Sequence, residues 1–257
     1  MTLIVGILCK DGVAVAADSA ATYGALGQPT ISQLTKKITI VDKSVIVACS
    51  GAIGLSQRFV EDITQLWRGN AFSGSTPVAA GTKIGAKLKE HIVPEMNVAQ
   101  FARNVVGQSA ISNATCLTIT ALPVSKAPTL IQFTEIGSPE VASANLPFVS
   151  IGGGQLTADP FLAFLRNLFW PDREPLLADG IFTALWTLKH AIAHTPGGLA
   201  LPIDIAVLEK QGSSWSARML STEELQEHEQ NIHSAEEALV NFKAPKAEKL
   251  EPPPLPS

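Results

Sequence analysis

A threonine stands directly behind the initiator methionine in MTLIVGILCKDGVAVAAD. Methionine before so small a residue is ordinarily trimmed, which would leave Thr2 with a free α-amine. Such an amine titrates near ~7.7–8, so much of it is neutral around physiological pH. It can serve as general base for the hydroxyl of its own residue, which unaided is a weak nucleophile. A lysine ammonium nearby would favour the neutral amine and stabilise developing negative charge, and a carboxylate would hold that lysine in place. A backbone N–H would then receive the oxyanion. The chain offers a candidate for each role. Asp18 closes the run VAVAAD, Lys36 and Lys37 open KKITIVD, and Ser50-Gly51 closes VIVACSG. Glycine at the last position lets the backbone approach a reacting carbonyl closely.

These residues need strand ends that converge. LIVGILC and VAVAADS are strand-like runs joined by Lys10-Asp11-Gly12, a hairpin signal. KKITIVD and VIVACSG repeat the pattern around Lys43-Ser44, so four strands are expected in the first 51 residues. Their nearly continuous apolar character predicts strands covered on both faces. In adjacent hairpins, the ends carrying Asp18, Lys37 and Gly51 can gather around the start of the first strand.

Helical spacing follows in LSQRFVEDITQLW, and Ser75-Thr76-Pro77 supplies a cap and helix-opening proline for VAAGTKIGAKLKEHIV. NATCLTITALP, PTLIQFTEI and LPFVSIGG read as strands, DPFLAFLRNLF and EPLLADGIFTALWTLKHAIAHT as helices, and PIDIAVLEK with SSWSARML as a closing strand pair. A final acidic helix, STEELQEHEQNIHSAEEAL, opens with a capping-box pattern at Ser221 and Glu224. Strand blocks thus alternate with helix pairs, which is not the βαβ alternation of a doubly wound fold. The pattern predicts an α+β fold: two mainly antiparallel sheets packed face to face, each with a helix layer outside, a four-layer αββα sandwich over residues 1–242. The polar, proline-rich segment 243–257 offers almost nothing to bury and reads as an extended or disordered tail.

Composition narrows the function classes. The 46% apolar content of the 257 residues is ample for a sizeable core. Net charge is −4, but residues 221–257 hold eight Glu against three Lys, so the rest is about neutral. With no basic surplus, neither a nucleic-acid nor a membrane partner is expected. Cys9, Cys49 and Cys116 sit in apolar runs without metal-ligand spacing and read as reduced core thiols. His190 and His194 lie four apart on a predicted helix but lack a third ligand, so no metal is expected. The start lacks the basic region of a signal peptide, and no run reaches the ~18 apolar residues of a membrane span. A soluble, cytoplasmic location is the expectation.

The register of the candidate residues resembles that of β-type proteasome subunits and their bacterial relatives, within the N-terminal nucleophile hydrolases. That family opens Thr-x-x-Val-Gly-Ile, continues through a KDG-type hairpin, and reaches AAD sixteen residues beyond the threonine, as TLIVGILCKDGVAVAAD does here. Its lysine is the second of a KK pair, matching Lys37, and fourteen residues later comes the glycine of a G-x-x-G turn, matching Gly51 in GAIG. The likeness is strong over residues 2–60 and fainter at FVSIGGG and PGGLALPIDIAVLEK. No helical extension of the α-type precedes the first strand, which favours the β-type.

The resemblance implies the N-terminal nucleophile hydrolase fold and a threonine endopeptidase without cofactor. Its catalytic set would be Thr2, Asp18, Lys37 and the Gly51 amide, with Lys36 a solvated neighbour. It places Ala21, Thr35, Thr39, Cys49 and Ile53 around the residue before the cut, and Thr22 on the substrate backbone. It further implies self-assembly into stacked rings of six or seven, polypeptide substrates, and an ATP-driven unfoldase as feeder. The alternatives are a catalytically idle ring subunit and a small-molecule amidase of the same nucleophile family. Two departures predict slow turnover. Gly153 replaces a serine in the later glycine-rich turn, and AIAHTPGG has Pro196 where the family has serine, with no carboxylate nearby.

Overall fold

The computed structural model describes residues 1–25, 28–107, 109–112 and 114–242, with the backbone alone at 22–25, 28–32, 106, 109 and 112. The expected proline-rich tail, 243–257, lies outside the described residues. Strands β1 (Ile4–Cys9), β2 (Gly12–Asp18), β10 (Phe148–Ile151), β11 (Ile203–Gln211) and β12 (Ser214–Met219) form one antiparallel sheet in the order β10-β1-β2-β11-β12. Strands β5 (Ile38–Val41), β6 (Val45–Gly51), β7 (Cys116–Val124), β8 (Ala127–Phe133) and β9 (Pro139–Val141) form the second, in chain order.

Burial explains the continuous apolar runs. Ile4, Val13 and Val15 meet Ile46, Ile119 and Leu130 between the sheets. The alternate residues Leu3, Val5 and Ile7 turn outward against Leu162, Leu185 and Trp186 of α4 (Gln155–Phe169) and α5 (Leu177–His194). On the other side, Val45 and Val47 pack against Leu55 and Phe59 of α1 (Ile53–Arg68), and against Ile84 and Leu88 of α2 (Pro77–Val106). Every residue of β2 is buried. The result is the αββα sandwich expected from the sequence.

Three features differ from the sequence reading. The segment after Asp18 contains a further hairpin, β3 (Ala20–Ala25) with β4 (Gln28–Leu34), which forms a separate two-stranded ribbon bulged between Tyr23 and Gly24. Among the described residues, the first 51 positions therefore hold six strands rather than four. The ribbon joins neither large sheet, so no apolar alternation marks it. The β5–β6 turn is centred on Asp42 and Lys43, both at positive φ, with Ser44 N donating to the Val41 carbonyl; positive φ at both positions gives the turn a hand that matches strand twist, and the Val41–Val45 pairing leaves three residues in the loop. Helix α2 begins where expected, with the Thr76 hydroxyl accepting from Ala79 N, but continues through Pro94 to Val106. A proline removes one helical hydrogen bond and usually marks a stop, yet here the helix runs on, and α3 (Ser109–Ser112) folds back so that Ala110 packs near Ala99.

Helix α6 (Thr222–Val240) covers α5 through Ile232 and has the predicted capping box: Glu224 N donates to the Ser221 hydroxyl and Ser221 N to the Glu224 carboxylate. Ser221→Ala should therefore lower stability by about 1 kcal/mol. For a chain of this size that is a fall of about 2–4 °C in Tm, measurable by calorimetry.

Candidate active site

The β1–β2 register brings the start of the chain against Asp18. Ile4 pairs with Ala17, and Asp18 N donates to the Leu3 carbonyl at 3.2 Å. The Asp18 side chain folds back over this edge, where Oδ1 accepts from Leu3 N at 2.9 Å and Oδ2 from Ala20 N at 3.0 Å. Ala200 N, just before β11, approaches Oδ2 at 3.4 Å. Lys37 reaches across from the start of β5 in the other sheet, with Nζ 2.5 Å from Oδ1. The Asp18 side chain is wholly buried and that of Lys37 is 6% exposed. A buried carboxylate persists only when its charge and lone pairs are matched; here three amides and one ammonium match them. Lys36, the adjacent residue, is exposed at the cleft rim.

Charge in this corner alters the amine. Burial lowers the Lys37 ammonium from its ordinary pKa, opposed by its hydrogen bond with Asp18. The α-amine in this structure belongs to Met1, one residue outside the position Thr2 would present after trimming. Burial lowers it below the ordinary 8.0, Lys37 lowers it further, and Asp18 opposes both. An amine held here is therefore biased toward the neutral, proton-accepting form.

Backbone constraints fix the rest. Gly51 has φ 130, and a β-carbon there would strike the Thr115 carbonyl, so the turn from β6 into α1 requires glycine. Gly152 stands in the same relation to the Thr2 carbonyl, which also accepts from Gly154 N at 3.1 Å. The turn following β10 thus clamps the Thr2 backbone. The Ser150 hydroxyl donates to Asp159 of α4, and the Gln155 amide donates to the same carboxylate, tying that turn to the helix.

A cleft of about 1060 Å³ opens over Thr2, and Lys37, Gly51, Ala21, Thr35, Thr39, Cys49 and Ile53 all line it. Thr22 stands in β3 paired with Ser32, and only its backbone is described. Gln57 and Val60 also face the cleft, beyond the pocket residues expected from the sequence, and so does Ser50, for which packing and a substrate hydrogen bond are both open. Gln57 and Val60 follow Ile53 at helical spacing, so that spacing was the available signal; Ser50 had only its place beside Gly51. The Cys49 thiol neighbours the Thr118 hydroxyl at 3.6 Å, and Ser56 meets Cys116 at 3.3 Å. Hydrogen bonding with Cys116, then burial, holds the Cys49 thiol well above its ordinary pKa, so this wall of the pocket is uncharged. Cys9 and Cys116 are buried and Cys49 is half-buried, all as free thiols. On α5, His190 stacks on Phe161 at 4.0 Å and on His194 at 4.3 Å. Among the described residues, no group of three or more His, Cys, Asp or Glu could hold a metal ion, and no helix is long and apolar enough to cross a membrane.

Two packed antiparallel sheets between helix layers form the αββα sandwich of the N-terminal nucleophile hydrolase fold. A sequence profile of the proteasome subunit family matches residues 2–165, and the chain belongs to that family. Solved structures agree on the fold. An Anbu (Gly-1) mutant from Hyphomicrobium sp. strain MC1 superposes with TM-score 0.63 at 16% identity, covering 96% of this chain and 100% of its own. Anbu (ancestral beta-subunit) from Yersinia bercovieri gives 0.63 at 14%, covering 95% and 100%. The helical assembly of the Anbu complex from Pseudomonas aeruginosa gives 0.65 at 14%, covering 95% and 98%. No curated protein sequence matches the chain.

Proposed function

We propose that this protein is a threonine endopeptidase that acts after Met1 is removed. Thr2 is the nucleophile, its own α-amine the general base, Lys37 the cation that keeps the amine neutral, and Asp18 the residue that positions Lys37. The Gly51 amide receives the oxyanion. The observation that carries this reading is the buried Lys37–Asp18 pair, built across two sheets and bonded to the amide directly after Thr2. The apolar and hydroxyl-lined pocket of Thr35, Thr39, Cys49 and Ile53 favours a small or medium uncharged residue before the cut. Self-assembly in rings of six or seven, polypeptide substrates, a cytoplasmic setting and feeding by an ATP-driven unfoldase complete the proposal. The named helical assembly of a structural neighbour supports self-association.

Treating the protein with a peptide boronate and reading the intact mass tests the reading: one adduct at Thr2 is expected. No adduct would favour the idle subunit. An adduct with hydrolysis of small amides but not of unfolded protein would favour the amidase. Turnover should also depend on pH with a defined sign. The neutral amine is the active form, and the surroundings that lower the Met1 amine, burial and the Lys37 charge, lie next to Thr2, so the rate should climb with pH through a midpoint below 8.0. A midpoint above that value would contradict the role given to the Lys37 charge.

A further inference from the structure

We propose that Gly153 and Gly198 form a subsite for the residue after the scissile bond, one that selects an unbranched or γ-branched apolar side chain of about methionine's size. This rests on the reading of Thr2 as nucleophile. The evidence is the seat occupied by Met1. A β-carbon on Gly153 would fall 2.5 Å from Met1 Cγ and 3.2 Å from its Sδ, and one on Gly198 would fall 2.6 Å from Met1 Cβ. The hollow therefore exists because both positions lack side chains. The two glycines come from separate segments, the β10–α4 turn and the α5–β11 loop, and both segments are anchored at the reaction centre. Gly154 N bonds the Thr2 carbonyl; in the loop, Ala200 O accepts from Ser19 N while Ala200 N approaches Asp18.

Position gives the seat its meaning. Thr39, Cys49 and Ile53 of the pocket belong to β5, β6 and α1, with Thr35 just before β5, while Gly153 and Gly198 of the seat belong to turns beside the other sheet; Thr2, Met1 and Gly153 line one cleft with the pocket. A peptide whose residue before the cut fills the pocket would pass Thr2 and bring its next residue toward the seat, which trimming of Met1 vacates. Thr2 Oγ then bonds to the carbonyl carbon, and the C–N bond breaks. The proton taken from Oγ by the α-amine passes to the leaving amine, whose residue lies in the seat. Water next hydrolyses the ester and restores the hydroxyl. Gly198 lies closest to the seated β-carbon, so a branch at that carbon is disfavoured, and Met1 remains 42% exposed, so the chain can continue outward.

The test uses the full, Met1-trimmed chain with internally quenched peptides that differ only after the cut. Met and Leu should exceed Gly, Asp and Val in kcat/KM by about ten- to a hundredfold, as expected from burying such a side chain. Gly153→Ala, at a position outside the left-handed region, fills the seat with a methyl group and should bring the Met-to-Gly ratio close to one. A product-like peptide beginning with Met should slow boronate capture by the wild type, whereas one beginning with Gly should not. Equal rates after the cut in the wild type, or an intact preference in Gly153→Ala, would overturn the subsite. Absence of any Thr2–boronate adduct in the wild type is a separate mass-spectrometric result; it would overturn the nucleophile reading and the subsite with it.

Discussion

Thr2→Ala is expected to lose all covalent capture by a peptide boronate and all peptide turnover, while keeping the stability and assembly of the parent. The substitution deletes a hydroxyl and a methyl from a half-buried position. It leaves the Thr2 carbonyl, which Gly154 N binds, and the Leu3 amide, which Asp18 binds. Alanine is also small enough for Met1 to be trimmed, so the α-amine and its surroundings persist without the nucleophile. Thr2→Ser, which keeps the hydroxyl, should retain labelling. An epoxyketone adds a further distinction, because it closes a ring on both the hydroxyl and the α-amine. It should therefore react with trimmed wild type and not with a chain that keeps Met1, whereas a boronate needs the hydroxyl alone. Intact mass gives the adducts and size-exclusion chromatography the assembly. Wild-type turnover in Thr2→Ala would sink the mechanism, whatever the position of the lysine.

How much of this arrangement could be read from the sequence depended on which interactions fix each part. Strands β1, β2, β5 and β6 were legible because burial on both faces imposes unbroken apolar runs, and their ends placed Asp18, Lys37 and Gly51 near Thr2. The choice between Lys36 and Lys37 rested on resemblance. The structure turns Lys37 inward to Asp18 and leaves Lys36 at the surface, as the alternation of side chains in the approach to β5 requires. The β3–β4 ribbon was not legible, since backbone pairing outside the main sheets leaves little mark on side-chain type. Nor were the Ala200 approach to Asp18 and the Gly154 bond to Thr2, which are amide contacts between segments more than 150 residues apart. Gly153 reads in the sequence as a missing helper serine, and Gly198 as the second glycine of the pair that follows Pro196. In the structure they create room for the residue that precedes Thr2.

Lys37→Met should reduce the rate of Thr2 labelling by about a hundred- to ten-thousandfold, the range typical of losing assisted proton transfer. Two effects combine. The variant removes a positive charge of the kind that disfavours the protonated Met1 amine, so the pH midpoint of the remaining activity should move up. It also removes a cation that lines the cleft with Thr2 and can stabilise charge that develops as Thr2 attacks. Stability will fall as well, because Asp18 keeps its amide donors but loses the Lys37 ammonium that pairs with its buried carboxylate. Removing one partner of a buried ion pair typically costs about 3–5 kcal/mol, and the amide bonds should keep this case toward the lower end. Unfolding and lost chemistry can be separated by measuring labelling well below the variant's Tm, where nearly all chains are folded. There, partial unfolding would leave the pH midpoint where it was, whereas loss of the Lys37 charge moves it upward. Wild-type labelling rates in Lys37→Met, or a larger loss in Lys36→Met, would move the catalytic role away from the residue that Asp18 holds.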